Sequence, residues 1–205
     1  MDLYEYFISC EMFRQILEAV NYLHELNPKI IHRDLKPDKI LIAHNVRNGR
    51  FLKLCDFGLS TVHDKRVHYR TTRQHTADIG DVRYIAPEVF QGKKYNHKCD
   101  VYALALIGGN IFDLDVFDLN NSQPYSKAHT ALNAPVLELQ TILDSMFTNT
   151  WAKRPECREV IDKYNEWSID QNILTNDTEF DGTLHRLQAN DNSFFYQILT
   201  SILNK

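Results

Sequence analysis

Four short segments of this 205-residue chain carry side chains able to do chemistry. His32-Arg33-Asp34-Leu35-Lys36-Pro37 comes first, followed by Asp56-Phe57-Gly58, then Ala86-Pro87-Glu88, and Trp151-Ala152-Lys153-Arg154-Pro155 closes the series. Asp34 and Asp56 lie 22 positions apart, and Glu88 stands 32 beyond Asp56. A carboxylate can take a proton from a hydroxyl or ligate a hard cation, and a lysine beside it can offset the negative charge of a phosphate. Each tripeptide alone is commonplace. Their order and separations together are specific.

The elements that must position these residues follow from periodicity and turn chemistry. Phe13, Ile16, Leu17, Val20 and Leu23 recur at helical spacing between Glu11 and His24, which predicts an amphipathic helix ended by Asn27-Pro28. Ile30-Ile31 then leads into the first motif. Ile40-Leu41-Ile42 and Phe51-Leu52-Lys53-Leu54 flank Asn48-Gly49, a strong hairpin signal, and the hairpin runs directly into Asp56. Residues 59 to 85 are polar and rich in Thr, Arg and His, and read as a long surface loop. Asp100 to Leu114 is apolar nearly all round, the pattern of a helix buried in a helical domain. Asn120 to Pro124 reads as a loop, and Val136 to Phe147 and Glu156 to Trp167 as two further helices. From Ser168 to Asn192 the composition turns to Asp, Asn and Thr, the signature of a linker. Phe194, Phe195, Ile198, Leu199 and Ile202 give one last apolar face, which must dock or stay exposed. The expected organisation is one lobe over residues 1–167, then a polar linker and C-terminal helix over 168–205.

Composition narrows the function classes. A hydrophobic fraction of 43% with 24% charged residues suits a chain with one sizeable core. The net charge of -4 and pI near 6.1 argue against a general nucleic-acid or anionic-membrane partner. Cys10, Cys55, Cys99 and Cys157 are widely spaced with no C-x-x-C pair, so ordinary partly buried thiols in a reducing compartment are expected rather than disulfides or zinc. Met1 to Phe7 lacks the pattern of a secretory signal, and the longest apolar stretch, Tyr102 to Phe112, is too short for a bilayer. A cytoplasmic protein is expected.

The combined motifs are similar to those of the eukaryotic protein kinase family, serine/threonine type, and the resemblance covers its C-terminal lobe from about Leu3 to Trp167. It implies a mainly α fold, a helical bundle with a small β-hairpin at the catalytic loop. It also implies ATP and magnesium as cofactors, and a protein substrate or protein partner. Asp34 resembles the aspartate that accepts the substrate hydroxyl's proton, and Lys36 the lysine that offsets phosphate charge, its Leu-Lys-Pro context favouring Ser/Thr substrates. Asp56 resembles the magnesium-holding carboxylate, with Phe57 packed beneath it and Gly58 allowing the backbone to turn. Leu41 resembles the apolar floor under adenine. His32, Glu88, Asp100 and Arg154 resemble structural residues: Glu88 and Arg154 a buried ion pair, Asp100 the anchor of the catalytic-loop backbone. Arg33 resembles the arginine that grips a phosphorylated loop residue, so Thr71, Thr72 and Thr76 are candidate phosphosites, with plain solvated loop threonines as the alternative.

The chain departs from the family pattern in three ways. Only 31 residues precede His32, and Gly49 is the first glycine, so neither a glycine-rich loop nor its strand lysine is present in this sequence, and the N-lobe is expected to be absent. Lys39 stands where the motif calls for a magnesium-binding asparagine, and an ammonium cannot ligate a cation. It must swing away, weaken magnesium binding, pair with Asp56, or contact phosphate in place of the metal. Asp81 replaces a usual threonine near Asp34, and two neighbouring carboxylates are expected to drive one pKa up unless a cation intervenes. Two functional readings follow. The chain is either the C-lobe of a serine/threonine kinase, inactive by itself, or a pseudokinase-like interaction module.

Overall fold

The computed structural model describes residues 1–47, 49–62, 81–119, 130–177, 182, 185 and 194–203. Helix α1 spans Leu3–Glu25 and begins ahead of the point where helical spacing becomes visible. Asp2 accepts hydrogen bonds from the Tyr4 and Glu5 amides while the Glu5 carboxylate accepts from the Asp2 amide, a capping box that satisfies the free N–H groups of the first turn. The early turns are covered from several sides, with Leu3, Tyr6, Phe7, Ile8 and Cys10 all buried, so no polar face marks the period there.

Among the described residues four strands form two antiparallel pairs. β1 (Ile30–Ile31) pairs with β4 (Thr61–Val62). β2 (Ile40–Arg47) pairs with β3 (Arg50–Leu54), placing Ile40 opposite Leu54 and Leu41 opposite Lys53. Gly49 takes φ 67° at the turn, a conformation that glycine adopts without steric penalty. The hairpin is tied to α1 by buried Gln15, whose Nε2 donates to the Gly49 carbonyl at 2.7 Å and whose Oε1 accepts from the Phe51 amide at 3.1 Å.

The rest is helical: α2 (Pro87–Phe90), α3 (Lys98–Ile111), α4 (Asn133–Phe147), α5 (Cys157–Asp162), α6 (Tyr164–Trp167), α7 (Gln171–Thr175) and α8 (Phe194–Leu203). Helix α3 is the central post, buried from Cys99 to Gly109 and packed by α1 and α4. Phe13 of α1 meets Phe112 edge-on at 5.9 Å and Trp167 at 5.7 Å. The single helix expected over Glu156 to Trp167 is two short ones broken at Lys163. The Trp167 indole N–H donates to the Val160 carbonyl at 3.0 Å, a contact no straight helix allows between residues seven apart, about 10 Å along its axis.

The packed body does not end at residue 167. Ser168, Ile169 and Leu174 are buried, and the Tyr4 hydroxyl donates to Asp177 Oδ2 at 2.6 Å, so the first ten residues of the expected linker belong to the lobe. Asp170, Gln171, Asn172, Thr175 and Asn176 are left outside while Ile169 and Leu174 supply the apolar contact. The apolar face of α8 docks, with Ile198, Leu199 and Ile202 buried where the helix lies against α1 and β2. Among the described residues no helix is long and apolar enough to cross a membrane.

Candidate active site

The first motif is suspended from the start of α3. Asp100 is buried, and its Oδ1 accepts from the Arg33 amide at 2.9 Å while its Oδ2 accepts from the His32 amide at 2.9 Å. A third bond, also 2.9 Å, comes from Nε2 of His24 near the end of α1. A buried carboxylate needs this many donors to offset lost hydration. The bonds also hold Arg33 at φ 70°, which an unsupported side-chain-bearing residue rarely adopts. His32 is buried, with Nε2 3.3 Å from the Cys55 carbonyl and its ring 5.2 Å from that of Phe57. That contact couples the first motif to the second.

A short 3-10 turn, Pro37–Lys39, brings the charged side chains together. Lys36 Nζ lies 3.7 Å from Asp34 Oδ1. Lys39 Nζ forms a close ion pair with Asp56 Oδ2 and lies 3.6 Å from Asp34 Oδ2. The hydrogen bond between Lys39 and Asp56 raises the lysine's pKa and lowers the aspartate's. Of the alternatives open to Lys39, the structure shows the pair with Asp56. Asp56 has φ 62°, so the left-handed turn falls on the aspartate itself. Gly58 serves by its smallness: a Cβ there would come within 3.1 Å of Asp56 Oδ1, which accepts from the Gly58 amide at 3.2 Å.

These residues do not fit the magnesium ion that the kinase resemblance implies. Oδ2 of Asp56 is taken by the Lys39 ammonium, which repels a dication and cannot ligate one.

The remaining candidates fall around this centre. Leu41 is 51% exposed on β2, and Phe57 is 47% exposed with its ring beside that of His32. The guanidinium of Arg33 bonds the Leu59 carbonyl and lies 3.2 Å from the Tyr95 hydroxyl. Thr71, Thr72 and Thr76 lie outside the described residues. At Asp81 a cation does intervene: its pKa is pulled down to about 2, because the Arg83 side chain and amide both bond its carboxylate.

Glu88 and Arg154 form a two-pronged buried ion pair, Nη1 to Oε1 at 2.6 Å and Nη2 to Oε2 at 2.8 Å. Arg154 also donates to the Thr148 and Lys98 carbonyls at 2.9 and 3.0 Å, and its guanidinium lies 5.0 Å from the Tyr102 ring centroid. The pair ties α2 to the base of α3. Sequence reasoning missed three positioning residues: His24, Gln15 and Tyr95. His24 and Gln15 lie on a helix whose apolar period is plain, and a polar residue interrupting a buried face was the available signal.

Comparison with known proteins places this geometry. Residues 5–172 match the family model described as "Protein kinase domain". The chain is 32% identical over 157 residues to mitogen-activated protein kinase kinase kinase 7 of Homo sapiens, covering 70% of this chain and 23% of that protein. It is 43% identical over 95 residues to the protein of that name from Drosophila melanogaster, covering 46% of this chain and 12% of that one. Dual specificity protein kinase shkC of Dictyostelium discoideum is 34% identical over 101 residues, 49% of this chain and 19% of its own length. The matches thus span less than a quarter of each relative.

Proposed function

This chain belongs to the protein kinase family, and from that premise we propose that it carries the substrate-side half of a serine/threonine kinase site, the 205 residues by themselves transferring phosphate negligibly. The observation that carries this is Asp34, held on a loop that Asp100 pins at two successive amides, with Lys36 at 3.7 Å. Asp34 takes the proton of a protein Ser or Thr hydroxyl and aims its oxygen, while Lys36 offsets charge on the phosphate. Leu41 offers the adenine an apolar floor, and Arg33 with Thr71, Thr72 or Thr76 forms the regulatory pair. Kinases of this family generally use ATP with magnesium, and the charge neutralisation that the ion would supply falls here to Lys36 and Lys39.

Negligible transfer by the isolated chain is supported by the open cleft. Positioning and electrostatic clamping supply nearly all the catalysis in phosphoryl transfer. Here Leu41 and Ile42 are both half-exposed, so the described residues furnish one wall of a nucleotide site. A second reading, a protein-binding module without transfer in any context, is favoured by the Lys39–Asp56 pair.

The test is an assay of the purified chain with radiolabelled ATP, magnesium and a basic substrate protein. No transfer above an Asp34→Ala control is expected. Asp34-dependent transfer by the chain alone would overturn the inactive reading. Asp34-dependent transfer only in a longer product containing these residues would reject the binding-module reading.

A further inference from the structure

We propose that Lys39 is a built-in counter-ion standing in the place of a divalent metal between Asp34 and Asp56, so that the site receives a nucleoside triphosphate free of magnesium. The nucleotide half of this rests on the kinase reading above; the counter-ion half rests on geometry alone.

Two carboxylates, Asp34 and Asp56, face two ammonium groups, Lys36 and Lys39, and the four charges sum to zero. Nothing in that set attracts a dication. Lys39 Nζ pairs with Oδ2 of Asp56 and stands 3.6 Å from Oδ2 of Asp34, the space in which an ion shared by both carboxylates would sit. A metal bridging the two carboxylates would have to displace it. The backbone that carries the ammonium is held on both sides: the Lys39 amide donates to the Lys36 carbonyl at 3.0 Å, and its carbonyl accepts from the Cys55 amide at 3.0 Å. Displacement therefore means breaking the Lys39–Asp56 pair by rotating the lysine stem away, a cost that an anion met through the ammonium does not carry.

The same ammonium suits an anion. It has three N–H donors, and the one given to Asp56 leaves others for a phosphate oxygen. Two positions further on, exposed Leu41 presents the apolar surface a base would cover. The ligand class is a nucleoside triphosphate, met through a lysine rather than through a metal.

The experiment uses the 205-residue chain, with manganese as the metal probe read by electron paramagnetic resonance. The wild-type chain is expected to take up no manganese, whereas Lys39→Asn should gain one site, at least about tenfold tighter, because one positive charge is gone and an oxygen ligand added. Lys39→Arg keeps the cation and should stay silent. Equal manganese binding by wild type and Lys39→Asn overturns the counter-ion role, and tight binding by wild type does so even if the variant fails to fold. In parallel, a fluorescent ATP analogue is titrated with EDTA and then with magnesium. Affinity for the wild type should be equal in both, and a tenfold gain on adding magnesium overturns the proposal. Absence of nucleotide binding in either buffer rejects the nucleotide half, the kinase reading beneath it being decided separately by Asp34-dependent transfer in a longer product, while the manganese result still decides what Lys39 does.

Discussion

Replacing Arg154 by Met tests the structural core most directly. The Arg154 side chain is 0% exposed and that of Glu88 is 5% exposed, so water cannot take over what the guanidinium does. Removing it strands the Glu88 carboxylate in an apolar setting and leaves the Thr148 and Lys98 carbonyls without this donor. Breaking one side of a buried pair costs about 3 to 5 kcal/mol. In a chain of this size each kcal/mol moves the melting midpoint by about 2 to 4 °C, so the fall should be roughly 6 to 20 °C. Methionine fills much of the arginine stem's volume, which keeps cavity formation a minor contribution. The assay is thermal unfolding by far-ultraviolet circular dichroism on wild type, Arg154→Met, Glu88→Leu and the double variant. The double variant should recover part of the loss, because no uncompensated charge remains, and a clearly favourable coupling should appear in the cycle. An Arg154→Met midpoint within 2 °C of wild type, or strictly additive losses, would refute the claim that this pair is buried and mutually dependent.

Three further outcomes follow from other parts of the fold. Gly109→Ala should destabilise by about 1 to 3 kcal/mol, since its Cβ would lie 2.9 Å from the Leu114 carbonyl, which is backbone and cannot yield; an unchanged urea midpoint would contradict this packing. The Glu156 pKa is drawn from 4.5 down to about 2, chiefly by the hydrogen bond from His97 and then by Lys98, so an unfolded chain binds more protons than the folded one in that range. Stability should be fully present above pH 4.5 and decline toward pH 2, modestly because the side chain is 39% exposed, and Glu156→Gln should show a flatter acid limb; parallel profiles would remove the cause. Burial pushes the thiols of Cys10, Cys99 and Cys157 upward, while Cys55 is only partly buried, so a thiol reagent should modify Cys55 first and the other three only on unfolding, with simultaneous reaction of all four counting against the described core.

The sequence by itself determined the chemistry-bearing motifs, the hairpin leading to Asp56 and the buried character of α3, because each is written in local residue order: turn dipeptides, apolar runs and fixed spacings. It also showed that Lys39 stands where a metal ligand is usual. Tertiary structure alone decided what Lys39 does there, since its partners Asp34 and Asp56 are brought within reach by a turn and a hairpin whose combined geometry no local pattern encodes. The same holds for Ile169 and Leu174, buried although most of their neighbours are polar. Composition averages over a segment. Burial is settled one side chain at a time, by whatever the rest of the chain places against it.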